Sequence, residues 1–317
     1  MARRGNLILN SQFSINEVLP FKPIQIEDKS LITSYIFPSN HMNCDFAFAN
    51  MCSWRFLYDS EYAIHDNFLF IRFNIHENDR KRLAYMYPIG NGNLQQAISH
   101  IANDAEALSH SLLILGVTSD EKKILNALFP NHFTYITTRD YFDYVYLREE
   151  LTTLTGKKYQ PKRNHINKFR KQYDYQYLPV TQEIIPECKK LEQVWYDANK
   201  DEDRNGNLAH ERCSMRFAMD HFDALNLLGG AIVVDHTIIA FTYGSPINCK
   251  TFGVHVEKAD IRYEGVFSVI SQAFAKHIPQ QYTYVNREED LGIPGLRKSK
   301  LSYHPNLLLE KYAAVKI

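Results

Sequence analysis

LLGGAIVVDHTIIAFTYGSPINCKTFGVHVEKAD, residues 227–260, contains three short runs rich in β-branched and aromatic residues. The sequences Asp235-His236 and Pro246-Ile247-Asn248 separate these runs, and both are typical of turns. Three runs of this kind with turns between them predict three consecutive antiparallel strands, a β-meander. The segments on either side of this meander decide which fold class it belongs to.

Strand and helix patterns alternate on both sides of the meander. Aromatic alternation predicts a strand over 173–180, and apolar spacing predicts helices over 181–200 and 210–229, the second closed by Gly229 and Gly230. After the meander we expect a helix over 263–278 that opens at Gly265, a strand at QYTYVNRE, a short helix that begins at the proline of IPGLRKSKLSY, and a last strand or pair of strands in LLLEKYAAVKI.

The resulting order is strand, two helices, meander, helix, strand, helix, strand, which is the order of the GNAT acyltransferase fold. The first half repeats it with FKPIQI, helices between Asp28 and Tyr58, the strands EYAIHD, FLFIRFNI and RLAYMYPIG, and then NLQQAISHIANDAEALSH, SLLILGV, DEKKILNALF and HFTYITT. We therefore predict an α/β (α+β) protein of two tandem GNAT-like domains, residues 1–150 and 151–317, each a mixed sheet flanked by helices.

The composition is that of a globular protein, with 45% hydrophobic and 23% charged residues. No apolar run approaches the roughly 18–20 residues that cross a bilayer, and the opening MARRGNLILN lacks the apolar region of a signal peptide. The cysteines, at positions 44, 52, 188, 213 and 249, are scattered and never form a C-x-x-C pair. We therefore predict a cytoplasmic protein with buried cysteines and no metal site.

A formal net charge of zero conceals an asymmetry between the halves. Residues 1–150 hold 13 basic and 17 acidic side chains, and residues 151–317 hold 23 and 19, so the halves carry about −4 and +4. A basic second half suits an anionic ligand.

The basic side chains are concentrated in GKKYQPKRNHINKFRKQY, residues 156–173. Pro161 suits the start of a helix, and Ile166 and Phe169 supply one thin apolar face. Such a helix could bind phosphates, or it could be only a solvated connection between the domains. The candidates for polyanion binding are Lys162, Arg163, Lys168 and Arg170.

The start of the helix after the meander is a second candidate site. Ligands of open α/β sheets bind beyond the carboxyl ends of the strands, and a helix N-terminus attracts phosphate. Arg262 and Gly265 resemble the R/Q-x-x-G-x-G/A pyrophosphate loop of acyl-CoA-binding GNAT enzymes, with Phe267 in place of the last small residue. The alternative is that Gly265 only begins a helix.

Four segments together resemble the bacterial proteins related to the C-terminal domain of phosphatidylglycerol lysyltransferase. These segments are NHMNCDFAFANMCSWRFLY, GKKYQPKRNHINKF, VHVEKAD with GVFSVISQAFA, and VNREEDLGIPGLRKSKLSYHP. The group is similar in fold to the Fem peptidyltransferases, which contain two GNAT domains. The resemblance implies transfer of an aminoacyl or acyl group from a charged tRNA or a thioester to an amine or hydroxyl.

The last of these segments, residues 285–305, carries most of the candidate residues. The resemblance implies that Lys300 matches the lysine of the family's F-K-x-K-F-like block, which here reads Ser299-Lys300-Leu301-Ser302-Tyr303. Arg297 and Lys298 lie on the same short helix and could bring positive charge to a phosphate or an oxyanion. Any of the three preceding acids, Glu288, Glu289 or Asp290, could accept a proton from a nucleophile. For Glu288 and Glu289 the alternative is that they only pair with Arg287 or Arg297.

Acyl transfer needs a base for the acceptor, donors for the oxyanion and an acid for the leaving group. Glu257 and Asp260, at the end of the meander, are rival bases, and Tyr303 is either the acid or a packing residue. No triad spacing of serine, cysteine or histidine stands out, so the sequence favours direct transfer without a covalent intermediate. His255 lies in an alternating strand, and we expect a hydrogen-bonded sheet histidine rather than a base.

We therefore expect an acyl- or aminoacyltransferase with its cleft in the second half and no tightly bound cofactor. The donor substrate would be acyl-CoA or aminoacyl-tRNA, and the acceptor an amine or a hydroxyl. The alternative is a non-catalytic protein that holds tRNA or another polyanion on the basic helix and in the cleft.

Overall fold

The computed structural model describes residues 18–77, 80–202 and 206–317, so the opening MARRGNLILN lies outside the described residues. Both halves show the predicted order of elements. The strands are β1 (Lys22–Pro23), β2 (Glu61–His65), β3 (Phe68–Glu77), β4 (Arg80–Met86), β5 (Ile89–Gly90), β6 (Leu113–Val117), β7 (Phe133–Thr137), β8 (Asp143–Leu147), β9 (Tyr175–Pro179), β10 (Leu228–Val234), β11 (Thr237–Pro246), β12 (Thr251–Ala259), β13 (Tyr284–Asn286), β14 (Leu307–Leu309) and β15 (Tyr312–Lys316). The helices are α1 (Lys29–Ser39), α2 (Phe48–Ser53), α3 (Arg55–Tyr58), α4 (Leu94–Ala107), α5 (Ser119–Leu128), α6 (Arg148–Thr153), α7 (Gln160–Gln172), α8 (Ile185–Asn199), α9 (Asn207–Asp220), α10 (Val266–His277) and α11 (Pro294–Leu301).

The predicted meander is confirmed: β10, β11 and β12 pair antiparallel in a sheet of order β14-β8-β13-β12-β11-β10-β9. Most residues of β11 are buried, because α8 packs on one face of the strand and α10 on the other. Burial on both faces explains why the runs quoted first are almost continuously apolar rather than alternating.

The helix predicted over 210–229 is shorter than expected, because α9 ends at Asp220. Gly229 and Gly230 do not close a helix but lie in β10. A Cβ atom added at Gly230 would lie 2.3 Å from the hydroxyl oxygen of Tyr177 on the neighbouring strand. The pair of glycines therefore reflects a close approach between strands, which looks the same in sequence as a helix terminus.

The strands β12 and β13 pair in parallel only at Thr251–Gly253 and Tyr284–Asn286. β12 then continues to Ala259 without further pairing to β13, so the two strands separate. We call the space beyond Gly253 and Asn286 the β12/β13 gap.

The first sheet has the order β1-β2-β3-β4-β6-β15-β7, with β5 paired to β3. Here β2, β3 and β4 form the meander, and β4 pairs in parallel with β6 at only Tyr85 and Met86. The space beyond this pair is the β4/β6 gap. The predicted fold class, two mixed sheets flanked by helices, is confirmed.

Each sheet contains one strand from the other half of the chain. β15, near the C-terminus, lies between β6 and β7 of the first sheet. β8, which precedes residue 150, lies between β13 and β14 of the second sheet. Strand pairing therefore crosses the predicted boundary between residues 1–150 and 151–317.

One large buried cluster contains many residues of both halves. Phe46 and Met51 of the first half pack in it with Met215, Phe222 and Tyr243 of the second. Cys44, Cys52 and Cys188 are buried as predicted, but Cys213 and Cys249 are exposed, because they lie on the outer side of α9 and in the turn before β12. No helix among the described residues is long and apolar enough to span a bilayer.

Candidate functional site

Arg287 and Glu257 bridge the β12/β13 gap. Arg287 follows the last residue of β13, and its Nη2 donates to Oε1 of Glu257 on β12 at 3.2 Å. The two side chains are 11% and 15% exposed. The Nη1 of Arg287 is buried and has no hydrogen-bond partner among the residues that the structure describes. A buried guanidinium nitrogen with unused donor capacity suits an anionic group of a ligand.

Tyr303 and Lys162 border Arg287 on the α7 side of the gap. The guanidinium carbon of Arg287 lies 4.9 Å from the centroid of the Tyr303 ring, and the Nζ of Lys162 lies 3.9 Å from the same centroid. Tyr303 is buried and packs edge-on against Tyr146 of β8. Its ring therefore holds two cations near one another.

Burial perturbs the titrating groups of this gap. It lowers the pKa of Lys162 to about 8, with a smaller effect in the same direction from Arg287. Burial raises the pKa of Glu257, although Arg287 opposes the shift. It also raises the pKa of the Tyr303 hydroxyl. Several perturbed groups in one gap are characteristic of a functional site.

Lys300 holds the segment that carries Arg287. Its Nζ donates to the carbonyl oxygen of Arg287 at 2.6 Å and also to that of Glu289. The side chain is buried, and burial lowers its pKa. Both contacts are to backbone, so Lys300 positions residues 287–289.

Asp290 is the fully buried centre of a separate ion-pair group. It accepts hydrogen bonds from Arg297 at 2.8 Å and from the Tyr144 hydroxyl at 2.5 Å. Burial would raise the pKa of Asp290, but these hydrogen bonds outweigh it and hold the pKa well below its ordinary value. An acid that stays ionised is a poor proton acceptor, and Arg297 is committed to it. Lys298 is exposed and lines a shallow surface groove along α11.

Glu289 belongs to a buried cluster around Lys311. The Nζ of Lys311 contacts Asp143 at 2.9 Å, Asp45 at 3.2 Å and Glu289. Burial lowers the pKa of Lys311, but the neighbouring carboxylates outweigh this effect and raise it well above its ordinary value. Cys44, Asp143 and Glu289 have possible ligand atoms within 4.8 Å of one another, and the Lys311 ammonium supplies the positive charge there.

Glu288 contacts His255 instead of the arginines considered from the sequence. The Nδ1 of His255 lies 2.8 Å from Oε1 of Glu288, and the Nδ2 of Asn50 donates to the same oxygen at 2.8 Å. The other ring nitrogen of His255, Nε2, lies 2.7 Å from the Oγ of Ser245. The predicted hydrogen bonding of this sheet histidine is confirmed, and the ring connects a serine to a carboxylate.

The residues predicted at the start of α10 do not reach the β12/β13 gap as a group. Arg262 is 80% exposed and pairs with Asp260, and this hydrogen bond lowers the pKa of the Asp260 carboxyl. Gly265 caps α10 with φ +91°, and a Cβ there would lie 2.9 Å from the carbonyl oxygen of His165 in α7. The glycine therefore permits α7 to pack against the start of α10.

The basic helix α7 spreads its charges over several partners. Lys162 reaches the gap, whereas Arg163 donates to the carbonyl oxygens of Leu154 and Gly156. Lys168 pairs with Glu264, and Arg170 is exposed beside Tyr175. Ile166 and Phe169 are buried, as the thin apolar face predicts.

Sequence reasoning did not single out Arg287, Lys311, Asp143 or Ser245. Arg287 could have been found as a basic residue directly after a strand, at the sheet edge where ligands bind. The other three carry no local signal, because their partners are far away along the chain.

The model of the family "Phosphatidylglycerol lysyltransferase, C-terminal" matches residues 37–315. The chain belongs to this family. A conserved protein of unknown function from Bacteroides thetaiotaomicron has a crystal structure that is 47% identical, with TM-score 0.91, and the match covers 95% of this chain and 100% of that one. The structure of L-PGS from Bacillus licheniformis is 13% identical, with TM-score 0.63, and the match covers 96% of this chain and 94% of that one.

Two further proteins are similar to this chain. The structure of FemX is 10% identical with TM-score 0.58, and the match covers 93% of this chain and 97% of that one, which shows a shared fold. An uncharacterised protein of Mycoplasmoides gallisepticum is 26% identical over 175 residues, 54% of each chain. The chain thus spans about half the length of this curated relative. The description of the family names a lysyltransferase.

Proposed function

We propose that this family member transfers an aminoacyl or acyl group to an amine or hydroxyl acceptor in the β12/β13 gap. The observation that carries the proposal is the buried Nη1 of Arg287, which has no hydrogen-bond partner among the described residues. It lies between two separating strands, beside an acid whose pKa is raised and a lysine whose pKa is lowered.

The chemistry of acyl transfer assigns a role to each of these groups. The carbonyl oxygen of the donor gains negative charge as the acceptor attacks, and Arg287 would stabilise that charge in a site from which water is largely excluded. Glu257 would accept the proton of the acceptor, because a raised pKa brings a carboxylate closer to the basicity that the task needs. Lys162 would add positive charge toward the leaving group.

We propose an aminoacyl-tRNA rather than acyl-CoA as the donor. At the start of α10, the alternative site for the pyrophosphate of CoA, α7 packs close to Gly265, since a Cβ there would lie 2.9 Å from the carbonyl oxygen of His165. Lys168, a basic side chain beside this point, is already paired with Glu264. The family description names a lysyltransferase, and a lysyl group is an aminoacyl group, which supports an aminoacyl donor.

The test is calorimetric titration with mixed aminoacylated tRNA and separately with acetyl-CoA, each at about 50 and 200 mM salt. We expect saturable binding of the charged tRNA that weakens at higher salt, and loss of the aminoacyl label from the tRNA when amines are supplied. Acetyl-CoA binding that persists at the higher salt would instead place the donor at Gly265. Heat from neither ligand would overturn both donor assignments.

A purely polyanion-binding protein makes a different prediction. It would bind tRNA with or without the aminoacyl group, and the label would remain on the tRNA. The commitment of Arg163 and Lys168 to partners within the chain does not favour this alternative.

A further inference from the structure

Ser245, His255 and Glu288 form a continuous chain of short hydrogen bonds. The Oγ of Ser245 lies 2.7 Å from Nε2 of His255, and Nδ1 of the same ring lies 2.8 Å from Oε1 of Glu288. This is the order in which hydrolases on several unrelated folds arrange nucleophile, base and orienting acid.

An irregularity of the sheet places the histidine. Tyr243 pairs with Val256 but Gly244 pairs with Val254, so His255 is an extra residue in β12. Such bulges redirect a side chain and are frequent beside active sites. Gly253 makes room for the ring, since a Cβ there would lie 2.9 Å from Cε1 of His255.

The carboxylate is held in place as firmly as the histidine. Glu288 has a left-handed backbone with φ +59°, which is uncommon outside glycine. Its N–H donates to Oδ1 of Asn286 at 2.7 Å, and its Oε1 accepts from Asn50 of α2 at 2.8 Å. These contacts hold Glu288 in a backbone conformation that is energetically unfavourable. Such strained conformations are frequent at functional positions.

The hydrogen bond to the carboxylate selects the tautomer of the ring. With the Glu288 carboxylate accepting the hydrogen of Nδ1, Nε2 of His255 carries the lone pair that accepts the hydroxyl hydrogen of Ser245. In this tautomer the serine hydroxyl is polarised toward loss of its proton.

We propose that Ser245 is a nucleophile that takes up small acyl groups from activated esters, an activity separate from transfer at Arg287. The Oγ of Ser245 forms a bond to the acyl carbon while its proton passes to Nε2 of His255. The bond to the leaving alcohol breaks, and the alcohol takes that proton. Water, deprotonated by the same nitrogen, then releases the acid and restores the serine.

Two observations separate this site from the bridge of Arg287 and Glu257. Glu257 pairs with Thr242, and the two side chains lie on the same face of the sheet. Ser245, which pairs with Gly253, lies on the opposite face together with Phe241 and Tyr243, because side chains alternate along β11. Ser245 is 3% exposed and Glu288 is 22% exposed, so the chain reaches solvent through its acid end. A nucleophile enclosed in this way excludes large acyl groups.

The experiment treats the intact protein with p-nitrophenyl acetate and, separately, with a small fluorophosphonate, followed by intact-mass and peptide-mass analysis. We expect one acetyl or phosphonyl group on the peptide that contains Ser245, no label on Ser245→Ala, and labelling about 100-fold slower for His255→Asn. Ser214→Ala is the matched control, because it removes another buried serine hydroxyl, from α9.

Peptide mapping of the wild-type protein decides the matter even if a variant fails to fold. Label on other residues only, for example acetyl on Lys162, would overturn the proposal, as would a folded wild-type protein that takes up neither reagent. Equal labelling of wild type and His255→Asn would show that the chain is only a structural link. None of these results depends on whether aminoacyl-tRNA is the donor.

Discussion

The two halves contain the same kind of gap and use it differently. In the first half β4 and β6 pair at two positions and then part, and in the second β12 and β13 pair at three and then part. The β4/β6 gap is filled by the segment that precedes α2. There the half-buried His41 lies 3.3 Å from the buried Glu121, and Asn43 donates to the Gly116 carbonyl.

The β12/β13 gap instead holds charges that are only partly compensated. Arg287 has one buried nitrogen without a described partner, and Lys162 has a pKa lowered to about 8 by burial. The same separation of two strands therefore has two outcomes. In the β4/β6 gap, side chains from a neighbouring segment fill the space and make it part of the core. In the β12/β13 gap, the charged side chains keep unused binding capacity that is available for a ligand.

The largest effect is expected at the buried cluster around Lys311, which contains residues of both halves. Lys311→Ala leaves Asp143, Asp45 and Glu289 buried around a missing ammonium, and should lower the free energy of unfolding by about 3–5 kcal/mol. Denaturant unfolding measures the change. Lys81→Ala, which breaks an exposed pair with Asp59, is the control and should cost less than about 1 kcal/mol. If both variants lost the same unfolding free energy, the buried cluster would not stabilise the contact between the two halves.

Arg287→Ala should reduce transfer by about 10²–10³-fold, the usual effect of losing an oxyanion donor. A single-turnover assay with aminoacyl-tRNA measures the rate, and thermal unfolding reports the accompanying loss of the bridge to Glu257. Arg262→Ala removes an arginine that is 80% exposed and should leave the rate unchanged. If Arg262 mattered more than Arg287, the functional part of the second half would be the start of α10 instead of the gap.

The filled β4/β6 gap should make the stability of the protein depend on pH. Burial raises the pKa of Glu121 from its ordinary 4.5 to about 7, so the native state binds a proton that the unfolded chain has lost. Stability from this group is therefore present below pH 4.5 and declines as pH rises to about 7. As pH rises across this window, the free energy of unfolding of Glu121→Gln should increase relative to that of the wild type by about 2–3 kcal/mol. Denaturant unfolding at each pH measures the difference.

His41 contributes a slope of the opposite sign. Burial lowers its pKa from 6.5 to about 4, so its stabilising contribution is lost as pH falls through this range. In the wild type the two slopes oppose one another, and removing the acid exposes that of the histidine. If the difference in unfolding free energy between wild type and Glu121→Gln stayed the same at all pH values, titration of this pair would be contradicted.

The smallest effect is expected at the glycine that admits the filling segment. Gly116 has φ +69°, and a Cβ there would lie 2.6 Å from Nδ2 of Asn43. Gly116→Ala should cost about 2 kcal/mol of stability and leave binding in the β12/β13 gap intact. Gly295→Ala, where a Cβ meets nothing within 4 Å, should be nearly neutral. Weaker tRNA binding in Gly116→Ala alone would mean that the first gap also serves the ligand.

The sequence predicted the repeated order of elements and several residues of the candidate site, but not the contacts that these residues make. Glu257 and Lys162 were named, and both lie at the β12/β13 gap. Lys300 was named as a functional lysine and binds backbone carbonyls instead. Asp290 was named as a base and is held ionised by Arg297. Residue type and position after a strand indicate a region, whereas the role depends on which neighbours the fold supplies.

The sequence by itself determined the two sheets and their helices, because alternation, helical spacing and turn residues are local properties that act over a few positions. Only the tertiary structure decided which side chains meet. Arg287 and Glu257 are 30 residues apart, and Glu289 and Lys311 are 22 apart. Ser245 meets Glu288 only through a bulge at His255. Their distances depend on strand crossovers, a register shift and burial between the two halves, none of which leaves a periodic mark in the sequence.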